Sequence, residues 1–202
     1  MEPIRDPQIL KVLSRLEEED AEDRRLQNRP REERMFTLHP ATSRLLHILV
    51  QATGAAKLVE IGVAYGYSTI WLAHVSRLTG GKLHSLEINP ELIEIASQNV
   101  AKAGLSDQVN FVLGDARENV ASIDAPFDFV LLDCWEWLYV EMLGILEAKL
   151  RPGALIVADN VHPGVQECDR FAEAVSAHPS FETVYVPIGR DVQVCMKVGG
   201  TS

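Results

Sequence analysis

The chain has 202 residues, 47 % of them hydrophobic and 24 % charged, which suits one globular domain with an ordinary core. Its formal net charge of −10 argues against a nucleic-acid or anionic-membrane surface, because either draws its affinity from clustered Lys and Arg. Cys134, Cys168 and Cys195 lie far apart with no CxxC pair, so reduced thiols are expected rather than a disulfide framework. The opening MEPIRDP lacks a basic segment followed by an apolar one, and no apolar run reaches the ~18–20 residues of a membrane helix. A cytoplasmic protein is the resulting expectation, with 1–202 as a single domain.

In chain order, the first element is a helix that Asp6 caps and Pro7 opens, with Ile9, Leu10, Leu13 and Leu16 at helical spacing. This stripe has no sequence-local partner, so it is expected to pack on the core or on a second subunit. The stretch EEEDAEDRRLQNRPREER, residues 17–34, is dense in both signs of charge. It reads either as a solvated helix face running into a loop or as a mobile arm over a ligand or partner subunit. Residues 1–40 form a helical extension in this reading, and 41–202 the catalytic core. A second helix, roughly Ala41–Thr53, carries Leu45, Leu46, Ile48 and Leu49.

From Lys57 the pattern alternates. Short apolar runs at Leu58–Ile61, Leu83–Leu86, Val109–Leu113, Phe127–Leu132 and Ala154–Ala158 read as strands. Helical segments follow them at Ser68–Leu78, Pro90–Ala103, Asp115–Ser122, Tyr139–Leu150 and Gln166–His178. Strands that are apolar throughout are buried on both faces, and helices between them imply parallel crossovers. The end differs: FETVYVPIG and VQVCMKV meet through GRD without a helix, which predicts an antiparallel hairpin at one sheet edge. The fold class is therefore α/β, a Rossmann-like doubly wound sheet with extra N-terminal helices.

The stretch LVEIGVAYGYSTIWLA places a glycine turn, EIGVAYG, directly after the first strand. Ligands of doubly wound sheets sit there, beyond the carboxyl ends of the strands and near the switch in strand order. Gly62 and Gly66 lack the Cβ atoms that would keep a ligand off the backbone, but Ala64 and the spacing depart from GxGxxG. A dinucleotide would bring its pyrophosphate to the helix N-terminus, where Glu60 would repel it. A ligand with a cationic amino group is preferred. Glu87, closing KLHSLEIN, is suited to accept hydrogen bonds from ribose hydroxyls, and GDA at Gly114–Ala116 offers polar atoms to an adenine edge. Glu60, Glu87 and Asp115, on three successive strand ends, together describe S-adenosylmethionine.

The pieces VEIGVAYGYSTIWLA, EINPELIEIASQNVAKAGL, GDA, FDFVLLD, LRPGALIVADNV and PIGRDVQVCMKV also carry a family resemblance. From about Phe36 to Val198 the chain resembles the S-adenosylmethionine-dependent O-methyltransferases of the caffeoyl-CoA and catechol type. The resemblance implies cofactor contacts at Leu38, Glu60, Gly62, Val63, Ser68, Glu87 and Ala116. It also implies a seven-stranded sheet of order 3-2-1-4-5-7-6 with the last strand antiparallel, and a homodimer.

Asp133 ends the fourth predicted strand and Asp159–Asn160 the fifth, so all three converge at one sheet edge. Two carboxylates and an amide carbonyl are hard oxygen ligands, suited to Mg²⁺, Mn²⁺ or Ca²⁺ and not to zinc. The resemblance puts the family's metal at these same strand ends. The competing reading has Asp159 and Asn160 capping the segment before Gln166, with Asp133 facing the sulfonium alone. A cation would orient vicinal oxygens and acidify the attacking hydroxyl, which points to a small catechol-like or otherwise chelating acceptor.

Plant and mammalian members of the family carry a Lys base a few residues after the metal Asp, whereas this chain reads DCWEWLY. Glu136 is one candidate base, Trp135 and Trp137 candidate stacking partners for an aromatic acceptor, and His162 a second candidate base. Cys134 reads as filler, with no His placed beside it. The connection after Asn160 is short, so a CoA-ester acceptor is not expected. Competing functions are a metal-independent methyltransferase with Asp133 as base, a nicotinamide-dependent dehydrogenase and a non-catalytic cofactor-binding module. The missing GxGxxG and the presence of Glu60 speak against the dehydrogenase.

Overall fold

The computed structural model of the chain describes residues 4–26, 30 and 34–199. Helix α1, Pro7–Arg25, starts where Asp6 accepts a hydrogen bond from the Gln8 N–H at 2.8 Å and ends with Arg24 and Arg25 against the carbonyl end of the helix dipole. Ile9, Val12, Leu13 and Leu16 are all buried on it, and α1 packs on the core. Leu10, expected in this stripe, is instead 43 % exposed, because the buried face is set one position earlier, at Ile9. Helix α2, Pro40–Thr53, is opened by His39 and Pro40 and closed by Gly54 in the left-handed conformation.

The expected alternation follows. Strand β1 is Lys57–Ile61, helix α3 Tyr67–Thr79, β2 Lys82–Glu87, α4 Pro90–Lys102 and β3 Val109–Leu113. Then come α5 Ala116–Ser122, β4 Phe127–Leu132, α6 Tyr139–Glu147, β5 Leu150–Ala158 and α7 Gln166–Ser176. Strands β6, Phe181–Val186, and β7, Val192–Lys197, close the chain as an antiparallel hairpin. The seven strands lie in the order β3-β2-β1-β4-β5-β7-β6, parallel from β3 to β5, with β7 antiparallel to both its neighbours.

Alternate residues of the central strands feed two apolar layers. Leu58, Phe129 and Leu131 pack under α1–α4, while Val59, Ile61, Val130 and Leu132 pack under α5–α7. Strand β5 begins four residues earlier than expected and α6 ends three earlier. Leu150 pairs with Phe127, and the register then shifts to Leu155 opposite Phe129, so Pro152 and Gly153, left between helix and strand in the sequence reading, sit in an irregular strand.

The charged segment 17–34 divides. Its first half continues α1, where Asp20 and Asp23 are buried rather than solvated. Asp20 accepts from the Thr37 N–H at 3.3 Å and pairs with Arg24 at 2.5 Å, and Asp23 accepts from the Met35 N–H at 3.2 Å. These two acids hold residues 35–37 where they turn towards the sheet. Residues 27–29 and 31–33 lie outside the described part.

Candidate active site

Because β1 connects outwards to β2 and β4 lies on its other side, a crevice opens at the carboxyl ends of β1 and β4. A cavity of about 470 Å³ fills it. Its walls are the turns after β1, β2, β3, β4 and β5, roofed by residues 34–38 and by Arg190.

The turn after β1 is built from the bottom. Glu60 is fully buried in the middle strand, directly opposite Ser85 of β2. Its Oε1 accepts from the Ser68 hydroxyl at 2.6 Å, and its Oε2 accepts from Thr69 and Ser85, both at 2.7 Å. Burial pushes its carboxyl up to about 7, the three hydroxyls drawing it back and the Glu87 charge adding to the rise. Glu60 therefore lies beneath the cavity and does not line it. In the structure this acid anchors the first turn of α3, and it presents the Ser68 hydroxyl to the cavity where a ligand-facing carboxylate was expected.

Gly62 also has a different reason from the one expected. Its φ is +93°, and a Cβ there would lie 2.0 Å from the Asp133 carbonyl oxygen. The missing side chain lets the β1 and β4 turns close on each other, and Gly62 also lines the cavity. Ala64, at φ 47°, holds the same turn in a conformation that costs a non-glycine residue strain.

Glu87, at the end of β2, reaches the cavity and is fixed by four backbone donors. Its Oε2 accepts from the N–H groups of Val63 at 3.1 Å and Ala64 at 3.3 Å, and its Oε1 from those of Ile88 at 2.9 Å and Asn89 at 3.0 Å. Asp115 caps α5 through the Arg117 N–H at 2.9 Å and pairs with the Arg117 guanidinium, which holds its carboxyl below the usual range. Ala116 opens α5 beside it and lines the cavity.

On the other side, Asp133, Asp159 and Asn160 meet as expected, all lining the cavity. Asn160 adopts φ 58° and its Nδ2 lies 3.5 Å from Asp133 Oδ1. Burial pushes the Asp133 carboxyl up to about 7, with the Glu60 and Glu136 charges adding to it. Burial, and then the neighbouring Asp133 charge, hold Asp159 well above its usual range. Asp159 is 1 % exposed and its Oδ1 makes no well-formed hydrogen bond, the nearby Asn160 N–H and Thr42 hydroxyl only partly drawing its carboxyl back down. Two neighbouring carboxylates, Asp159 buried and Asp133 half-buried, are costly when both are ionised, and either a shared proton or a cation relieves them. This donor set, all oxygen, fits a hard divalent cation. Among the described residues, no group of three or more His, Cys, Asp or Glu side chains is arranged to hold a metal, so such a site would need the amide of Asn160.

Glu136, Trp135 and Trp137 follow Asp133 and line the mouth, the two indoles 42 % and 58 % exposed. His162 does not line it: its Nδ1 is paired with Asp191 at 2.9 Å, in the loop beyond Asn160. Burial pushes the Cys134 thiol up to about 12, consistent with a packing role. Leu38, Val63 and Ser68, the cofactor contacts implied by the resemblance, line the cavity. The sequence reading missed Phe36, Tyr65, Leu92 and Arg190 in the wall. Of these, Arg190 alone carried a signal, as the basic residue inside the GRD turn.

A doubly wound sheet with an acid at the end of β2 and a cavity over its switch point defines the class of Rossmann-like enzymes that bind an adenosyl cofactor. The O-methyltransferase family model matches residues 12–198, and the chain belongs to that family, a class of S-adenosylmethionine-dependent enzymes. Catechol O-methyltransferase from Mycobacterium tuberculosis is 33 % identical over 160 residues, covering 77 % of this chain and 72 % of that protein. The O-methyltransferase from Bacillus cereus, solved in complex with SAH, is 27 % identical with a TM-score of 0.75, over 93 % of this chain and 91 % of that one. TomG from Streptomyces achromogenes, an O-methyltransferase of tomaymycin synthesis solved with SAM, is 26 % identical with a TM-score of 0.77, over 97 % and 92 % of the two chains.

Proposed function

We propose that this chain transfers the methyl group of S-adenosylmethionine to a hydroxyl of a small catechol-like or otherwise chelating acceptor, with a divalent cation, Mg²⁺ first among Mg²⁺, Mn²⁺ and Ca²⁺, held by Asp133, Asp159 and Asn160. The observation that carries the metal is the buried Oδ1 of Asp159, which makes no well-formed hydrogen bond, beside Asp133 in the same cavity as the cofactor-contacting turns. In this reading Glu87 accepts from the ribose hydroxyls, and Gly114–Ala116 meet the adenine. Leu38, Gly62, Val63 and Ser68 enclose the amino-acid end. The sulfonium supplies an activated methyl, and the cation would align two acceptor oxygens and acidify the attacking one.

The remaining work falls to side chains. Trp135 and Trp137 offer flat apolar faces to an aromatic acceptor. Glu136, which lines the cavity where His162 does not, is the proposed proton acceptor for the attacking hydroxyl. A metal-independent reading rests on the contact between the Asn160 amide and Asp133, which leaves Asp133 as the base.

Methyl transfer to catechol from labelled cofactor, with and without chelator, tests the two. Chelator should abolish transfer, Mg²⁺ or Mn²⁺ should restore it, and Zn²⁺ should do so poorly. Asp159→Ala should lower metal affinity by more than roughly 10-fold, the least that even outer-shell changes cost at metal sites. Full activity in chelator, unchanged in Asp159→Ala, would rule out the metal.

A homodimer is proposed from the family resemblance, supported by Leu10 of α1 and Ile48 of α2, apolar and each 43 % exposed. A cytoplasmic location is proposed from the three unpaired cysteines. Among the described residues no helix is long and apolar enough to cross a membrane.

A further inference from the structure

The turn between β6 and β7 brings to the cavity a cation that neither the cofactor nor the methyl transfer requires. Arg190 is half-buried and lines the cavity wall. It makes no hydrogen bond or ion pair with a described residue, unlike Arg117, which is taken up by Asp115 at 2.5 Å and Glu141 at 3.6 Å.

Its turn is pinned on two sides. Gly189, at φ +64°, lies so close to α2 that a Cβ there would come 2.2 Å from Thr42 Oγ1. Asp191, at φ 63°, accepts from the Val161 N–H at 3.0 Å and pairs with His162 at 2.9 Å. Because Gln193 pairs with Ala158, Arg190 stands just beyond the Asp159–Asn160 end of β5. Strands β4, β5 and β7 are neighbours in that order. Their ends therefore present, in sequence across the sheet, the two indoles, the Asp159–Asn160 pair and the guanidinium.

Carboxylates dominate the rest of the wall: Glu87, Asp115, Asp133, Glu136 and Asp159 all line it. Those acids repel an anion, and Arg117 is already taken up by Asp115, so Arg190 is the cation at the acceptor end that is placed to hold an anionic acceptor. We propose that Arg190 is the anion-recognition residue of the acceptor subsite and that the acceptor is an aromatic diol bearing a carboxylate. Its ring lies against Trp135 and Trp137, its vicinal hydroxyls face Asp133, Asp159 and Asn160, and its carboxylate takes the Arg190 fork in a bidentate pair. The proposal rests on the reading of this cavity as a methyl-acceptor site.

Calorimetric binding separates the two. The enzyme, saturated with S-adenosylhomocysteine and Mg²⁺, is titrated with catechol and with 3,4-dihydroxybenzoate, as wild type, Arg190→Gln and Arg190→Lys, with melting curves checking that each variant is folded. Wild type should bind the dihydroxybenzoate roughly 10–100-fold more tightly than catechol, the scale of a charge-assisted pair. That ratio should collapse in Arg190→Gln and fall by a smaller factor in Arg190→Lys, which keeps the charge and loses the fork. If Arg190→Gln does not fold, the fall in Arg190→Lys carries the test. No dihydroxybenzoate binding, no preference in wild type, or a preference untouched by the variants overturns the proposal. An Arg190-dependent preference with neither compound methylated supports the anion site and refutes the methyltransferase reading. Methylation without that preference does the reverse.

Discussion

Replacing Glu60 with Gln should change how stability depends on pH. The carboxyl is fully buried and its folded pKa is raised from an ordinary 4.5 to about 7. The folded state therefore holds this proton more tightly than the unfolded chain, so the group lowers stability as pH rises from about 4.5 through 7. At ~1.36 kcal/mol per pH unit the rise corresponds to about 3 kcal/mol, present in full once both states are ionised. Glutamine carries no such charge. It does turn an NH₂ towards hydroxyls that donate to Glu60, at a pH-independent cost of about 1–3 kcal/mol. Glu60→Gln should therefore be less stable than wild type at pH 5, and the gap should shrink or reverse by about 3 kcal/mol towards pH 8. Urea unfolding of both proteins, without cofactor and in chelator, measures it from the midpoint at constant slope. A difference between the two that stays flat from pH 5 to pH 8 would refute the view of Glu60 as a buried, proton-holding anchor.

S-adenosylmethionine or its demethylated product should raise the melting temperature by mass action, by about 2.7 kcal/mol of added stability at 100 times its dissociation constant, and NAD should not. Glu87→Ala should weaken cofactor binding roughly 10-fold or more through lost charge-assisted hydrogen bonds, and equal shifts from NAD would count against the adenosylmethionine site. Static light scattering at micromolar concentration should show a dimer, and finding only the 22.4 kDa species would overturn that assignment.

The framework was legible because it depends on period and length. Runs such as Phe127–Leu132, apolar at every position but Asp128, suit a strand covered on both faces, and the capped, 3.6-periodic segments between them force crossovers. Local chemistry misled where two signals competed. Pro152 and Gly153 kept the predicted strand from starting before Ala154, yet β5 runs through them because a register shift absorbs the irregularity. The acids Asp20 and Asp23 read as solvated, yet each finds backbone N–H groups of residues 35–37 to satisfy it.

The site divides in the same way, according to whether a residue's role is set by its place on a strand or by what stands opposite it. Asp133, Asp159 and Asn160 could be brought together from strand order alone, since strand ends that are neighbours in the sheet must meet. Glu60 could not be placed so easily. An acid in a strand points to one face or the other, and here the hydroxyls of Ser68, Thr69 and Ser85 decide it. Ser85 was the available clue, the lone hydroxyl of β2, directly opposite Glu60. The same logic governs Gly62. Its empty Cβ position is occupied by the Asp133 carbonyl of the next turn, so the glycine that seemed to serve the ligand serves the carboxylate cluster first. Moving the β1 turn away from β4 would shift Asp133 relative to Asp159, which ties the shape of the cofactor turn to the geometry of the acceptor end.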